Sequence, residues 1–196
     1  GDALGYPIEF LNLDSIKEEF GKSGRTYLGD SGYISDDTQM TLFTAEGIIR
    51  YQYRYTVKGL ANANSCFYRA YSRWLHTQNY MYDKNKADAP EKEVLTGSLF
   101  EMPELNHKRA PGTTCINALV NGRADIESKG CGSVMRVAPV GLIYISDKVG
   151  NNDMLYSNAS DISSITHNNA YSVDSCKLFS ELISYLASGL DLDIST

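Results

Sequence analysis

Two adjacent carboxylates between hydroxyls, in the run Ser35-Asp36-Asp37-Thr38-Gln39-Met40-Thr41, are the residues of this sequence best suited by type and spacing to chemistry. Clustered oxygen donors suit a hard divalent cation. Met40, Phe43, Gly47, Ile48, Tyr51 and Tyr55 then recur at helical spacing, which predicts a helix from Asp36 to about Arg54 with both acids in its first turn. There the acids complement the positive end of the helix dipole. Two readings stay open. Capping, with Ser35 as N-cap, accounts for acids at a helix start. It does not require both, because carboxylates about 4 Å apart repel by about 1 kcal/mol in water and about 4 kcal/mol at an effective dielectric of 20, a cost that a bound cation reverses. A third carboxylate, Glu9, lies in the otherwise apolar segment Tyr6 to Leu11, where burial costs several kcal/mol unless the group is paired or protonated.

The elements that must position these groups read as helices. Gly1 to Phe10 reads as a helix or helix end carrying Asp2 and Glu9, and Asp14 to Phe20 as a short second helix, followed by a glycine-punctuated loop to Tyr33. Leu60, Phe67, Ala70, Tyr71, Trp74 and Leu75 predict a helix over about Val57 to Gln78 with an aromatic core face. Tyr80 to Ala110, polar and holding Pro90 and Pro103, reads as a long surface loop with room for a turn of helix. Ala110-Pro111-Gly112-Thr113-Thr114 reads as a turn with a hydroxyl cap, feeding a helix that buries Ile116, Leu119 and Val120 and stops at Gly122. Gly130-Cys131-Gly132-Ser133 precedes the apolar run Val134 to Ile145, in which Pro139 predicts a kinked buried helix and Arg136 a paired or snorkelling side chain. Tyr171, Cys176, Phe179, Ile183 and Leu186 mark a last helix after Thr166-His167-Asn168-Asn169, where His167 taken singly reads as a structural hydrogen-bonder. No segment alternates as a strand does and no repeat of fixed period is present, so the expected class is all-α.

Composition bounds the partners. A chain of 196 residues with 42% hydrophobic and 21% charged residues can bury a core as one domain. A net charge of −6, with no dense run of Lys and Arg, argues against nucleic acid or an anionic membrane as the main partner. An anionic small molecule would need helix N-termini, glycine-loop amides, a metal or a single Arg. The 4 cysteines include no C-x-x-C pair, which signals neither zinc nor a disulfide framework and fits a reducing cytoplasmic setting. No targeting or transmembrane run is visible, and the opening at Gly1, inside what reads as a motif, leads us to expect preceding residues.

Taken in order, G-D-A-L-G-Y-P-I-E-F (Gly1 to Phe10), S-D-D-T-Q-M (Ser35 to Met40), A-P-G-T-T (Ala110 to Thr114), G-C-G-S-V-M-R-V-A-P-V-G (Gly130 to Gly141) and T-H-N-N (Thr166 to Asn169) resemble the ADP-ribosylglycohydrolase family. The resemblance spans nearly the whole chain and about the first two thirds of the family's domain. It implies a compact all-α domain whose central cleft holds magnesium, two ions in a complete site with manganese as an alternative, together with ADP-ribose. It implies hydrolysis of the bond between ribose C1 and a modified protein side chain or a related ADP-ribosyl compound. Carried over by position, Ser35, Asp36 and Asp37 would be metal ligands, and Glu9, Asp36 and Asp37 the catalytic acids. Gly112, Thr113, Gly130, Gly132, Ser133 and Met135 would line the diphosphate and distal ribose, with His167 near the nucleotide. The chain departs from the family at Cys131, where Asn is common, and in the late D-x-D-T cluster that completes the metal site. Asp191-Leu192-Asp193 resembles that cluster but comes too early, so a domain lacking its C-terminal part is expected. Silent ADP-ribose binding on a crystallin-like scaffold is the alternative, and a ligand-free structural domain a third reading.

Overall fold

A computed structural model of the chain describes residues 1–28, 32–145 and 152–190, and the Asp191-Asp193 tail lies outside the described residues. Among these residues the fold is all-α, and the only extended pairing is an isolated parallel bridge between Asp125 and His167. The first segment is a short helix, α1 (Asp2–Gly5), continuing into a 3₁₀ turn at Tyr6–Ile8, followed by α2 (Leu13–Phe20). The apolar residues here are not core. Phe10 is 77% exposed and Glu9 is an exposed residue, so the expectation of a buried carboxylate does not hold.

The centre of the fold is a pair of helices, α3 (Asp36–Lys58) and α4 (Ala63–Thr77). One stripe of α3, from Asp36 and Met40 through Phe43 and Gly47 to Tyr51, is buried at helical spacing. The helix starts where expected but runs past Arg54 to a left-handed cap at Gly59. Asn62 then caps α4, so the helix expected from Val57 begins later. Helix α4 is buried on nearly every side, with Phe67, Ala70, Tyr71, Trp74 and Leu75 wholly enclosed. The two helices approach closely at Gly47, where a Cβ would stand 3.2 Å from that of Ala70.

Residues 80–110 are not merely a surface loop. They hold α5 (Lys84–Ala87), α6 (Glu91–Val94) and a 3₁₀ turn at Pro103–Leu105, pinned to the core by buried Tyr82, Ala87, Val94 and Leu105. Helix α7 (Thr113–Asn121) ends at a left-handed Gly122 as expected, but Gly112 is its N-cap without a side-chain bond, and Val120 is 39% exposed. The apolar run from Val134 is not one kinked helix. A 3₁₀ turn at Val134–Arg136 leads into α8 (Ala138–Ile143), and Pro139 sits in the first turn of α8, where it lacks no partner. Two helices close the fold, α9 (Asp153–Ser164), which the sequence pattern did not reveal, and α10 (Ala170–Ala187). Helix α8 packs on α10 at Gly141, where a Cβ would come within 2.3 Å of the Ser180 carbonyl oxygen.

Arg136 is buried and paired rather than snorkelling. Its Nη2 donates to the Ile162 carbonyl at 2.8 Å and to Thr166 Oγ1 at 2.7 Å, Nη1 reaches Cys115 Sγ at 3.5 Å, and the guanidinium lies 4.3 Å from the Tyr71 ring centroid. One cation thereby ties α4, α7 and α9 together.

Candidate active site

The N-terminus of α3 is capped twice. Ser35 Oγ accepts from the Asp37 amide at 3.2 Å, so the capping reading is correct as far as it goes. Asp2, reaching over from α1, accepts from the Ser35 amide at 2.9 Å, the Thr38 amide at 3.2 Å and the Thr38 hydroxyl at 2.6 Å. Sequence reasoning placed Asp2 on the same first segment as Glu9 but gave it no part in the site. The available signal was two acids in one short motif, Gly1 to Phe10.

The two central acids diverge. Asp36 is buried, and its Oδ2 accepts from the Gly112 amide at 2.9 Å while its own amide donates to the Arg109 carbonyl at 3.0 Å. The turn before α7 is thereby zipped onto the start of α3. Asp37 is exposed and, with Asp2, Glu9, Ser35 and Tyr6, lines a cavity of about 370 Å³. Of the three acids expected to be catalytic, Glu9 and Asp37 face this concave acidic surface, whereas Asp36 lies behind it on the Gly112 amide.

Burial and mutual repulsion raise the proton affinity of three of these acids. Burial foremost pushes Asp36 up to about 6, against the Gly112 amide, with the charges of Asp37, Glu9 and Asp2 adding to it. Glu9 is raised by desolvation, then by Asp37 and Asp2, and Asp37 is raised by desolvation and Asp2. Asp2 is the exception. Desolvation works to raise it, but its bonds from Thr38 and Ser35 prevail and hold it below the usual carboxylate range. Among the described residues no three Asp, Glu, His or Cys side chains are gathered closely enough to hold a metal ion by themselves. The donor chemistry nevertheless fits a hard cation, since every polar side-chain atom facing the cavity is oxygen and a positive charge would relieve the repulsion. What fits is part of a coordination shell.

A second grouping adjoins the first through α7. A Cβ on Gly112 would stand 3.8 Å from Cys115 Sγ, and one on Gly132 would stand 2.9 Å from both Cys115 Sγ and His167 Cε1. Only glycine lets the loop lie this close to the imidazole. Gly130 also lies against the ring, 3.7 Å from Nε2 by the same measure. His167 is buried and its Nδ1 shares a 2.8 Å hydrogen bond with Thr166 Oγ1. Burial, with Arg136 assisting and Asp125 opposing, lowers its pKa to about 4, so the ring is neutral at pH 7.

Of the other expected ligand residues, Thr113 is exposed at the first position of α7; Cys131, where the chain departs from the family, is exposed in the glycine loop. Ser133 is wholly buried near the Cys176 thiol, so its side chain does not face the surface. Met135 meets α3 through its carbonyl, which accepts from Thr41 Oγ1 at 3.1 Å. Gly112 and Gly132 thus both lie against Cys115, Gly130 and Gly132 against the buried His167, and Gly112 is bonded to Asp36.

No helix among the described residues is long and apolar enough to cross a membrane. No solved structure matches the chain. An uncharacterized protein of Archaeoglobus fulgidus is 31% identical over 156 residues, covering 74% of this chain but 39% of its own length, so the chain spans well under half of that relative. The sequence matches the family described as ADP-ribosylglycohydrolase over residues 1–195, and with the acidic helix start tied to Gly112 and the glycine loop laid on His167, the chain belongs to the ADP-ribosylglycohydrolase family.

Proposed function

We propose that this chain carries a magnesium-dependent glycoside hydrolase site that cleaves ADP-ribose from protein side chains or from a related small ADP-ribosyl compound. The observation that carries the reading is the cavity in which Glu9, Asp37, Asp2 and Ser35 meet beside Asp36. Cleavage at an anomeric carbon passes through an oxocarbenium-like state that a nearby carboxylate stabilises or services as acid and base. Glu9 is exposed to the cavity and holds its proton more tightly than an isolated Glu, which suits proton transfer to a leaving group. Asp36, Asp37 and Ser35 are the residues that would hold magnesium, whose chemistry is to orient the ribose hydroxyls and the attacking water. Helix α7 starts without a side-chain cap, leaving first-turn amides for a diphosphate, and the glycine loop offers a second close backbone approach.

The test is Glu9→Gln, assayed on ADP-ribosylated protein at saturating magnesium. Turnover should fall by about two orders of magnitude while ADP-ribose affinity stays within a few-fold. Equal loss of both would make Glu9 a binding residue and overturn its catalytic role. A second reading is a silent ADP-ribose-binding protein, since the uncapped start of α7 and the glycine loop can take a diphosphate without a metal. That reading is supported by tight ADP-ribose binding with no turnover by the unaltered protein.

A further inference from the structure

The C-terminal half of α3 carries Arg50, Tyr53 and Arg54 on one face, and α4 presents Arg69 and Arg73 at one-turn spacing opposite them. Together with Glu93 these residues line a cavity of about 220 Å³. In a chain of net charge −6, four convergent arginines are an anomaly. Glu46 and Glu93 answer only two of the four charges, leaving a local surplus of two. Arg50 and Arg73 share Glu46, and Arg69 is spent on the carbonyls of Ala87 and Asp88. Arg73 is 1% exposed and bonds Glu46 and the Val94 carbonyl, yet its Nη2 has no partner. A buried guanidinium nitrogen without an acceptor is costly unless something outside the chain supplies one. Arg54 has neither hydrogen bond nor ion pair among the described residues and stands at the same cavity.

We propose that this cavity binds a small phosphate-class dianion, at a site separate from the acidic cleft. At about 1.5 Å rise per residue, Arg50 lies about 20 Å along α3 from Asp36. The charge surplus matches a dianion, and forked guanidinium groups suit tetrahedral oxyanions. The volume lies below the range of about 300–1,000 Å³ usual for drug-sized ligands, which suits a ligand much smaller than ADP-ribose.

The experiment is calorimetric titration of the metal-free chain with inorganic phosphate, against chloride at matched ionic strength. Saturable phosphate binding is expected. Arg54→Gln removes a guanidinium that holds no part of the fold, so it should weaken phosphate by about tenfold or more without changing the melting temperature measured in chloride. Glu93→Gln removes a negative charge from the wall and should tighten binding by a few-fold. Asp37→Asn should leave phosphate affinity unchanged. Absence of phosphate-specific heat, unaltered affinity in Arg54→Gln, or loss of binding in Asp37→Asn would each overturn the proposal.

Discussion

Asp2 shows how one residue can serve both architecture and chemistry. Its carboxylate closes the N-terminus of α3 and also supplies part of the charge that raises Glu9 and Asp37. Asp2→Asn keeps the shape but weakens the cap, which predicts a loss of about 1–2 kcal/mol in chemical denaturation. It also removes a repulsive neighbour, so the Glu9 pKa followed by NMR should move down toward its ordinary value. An unchanged Glu9 titration would mean that the two carboxylates do not sense each other. Both Asp36 and Asp37 were legible in the sequence as a pair, but their division of labour was not. Which of two adjacent acids turns inward depends on where Gly112 lies, 76 residues away by chain. Glu9 was singled out for the wrong physical reason. The apolar residues around it are exposed or only half-buried, and its perturbation comes from partial desolvation and the acids nearby rather than from enclosure in a core.

Among the elements, local stop and start signals were read unevenly: Ser35 and Gly122 were caught, while the Gly59 stop and the Asn62 cap were passed over. Ser35 begins α3 and Gly122 ends α7 through their own backbone chemistry. Helix α9 escaped notice because Leu155, Ala159 and Ile162 are separated by Ser, Asn and Asp, so its buried stripe is narrow and flanked by small polar residues. Pro139 misled in another way, since proline marks a helix start as readily as a kink and only the preceding 3₁₀ turn decides between them. The two glycine contacts between helices make a comparative prediction. Alanine at either position gains about 1 kcal/mol of helix propensity. At Gly47 the new methyl meets side-chain atoms at 3.1 and 3.2 Å, whereas at Gly141 it meets a backbone oxygen at 2.3 Å. Gly141→Ala should therefore destabilise the fold by about 1–3 kcal/mol, and by more than Gly47→Ala, in parallel thermal melts.

At the scale of the whole molecule, two buried groups oppose each other as pH falls. Asp36 is raised from 3.8 to about 6, so the folded state binds its proton more tightly than the unfolded chain, and acidification through this window stabilises the protein. His167 is lowered from 6.5 to about 4, so the unfolded chain takes its proton first and acidification destabilises over nearly the same range. Each shift corresponds to up to about 3 kcal/mol, and the two largely cancel. In metal-free buffer Asp36→Asn should lose stability steadily from pH 6.5 to 4, while His167→Gln should gain it, as read by urea denaturation. Parallel curves for both variants and the parent would show that neither group is perturbed. Arg136 has a kinetic corollary. Its partners span from Tyr71 to Thr166, and a guanidinium stripped of water before all of them arrive is penalised by several kcal/mol. Half-assembled chains in which α9 has not yet docked are therefore scarce, and this domain should cross from disorder to order in a single barrier, with one exponential in stopped-flow refolding. Replacing Arg136 with Met would lift that veto, and the same trace would then show a populated intermediate.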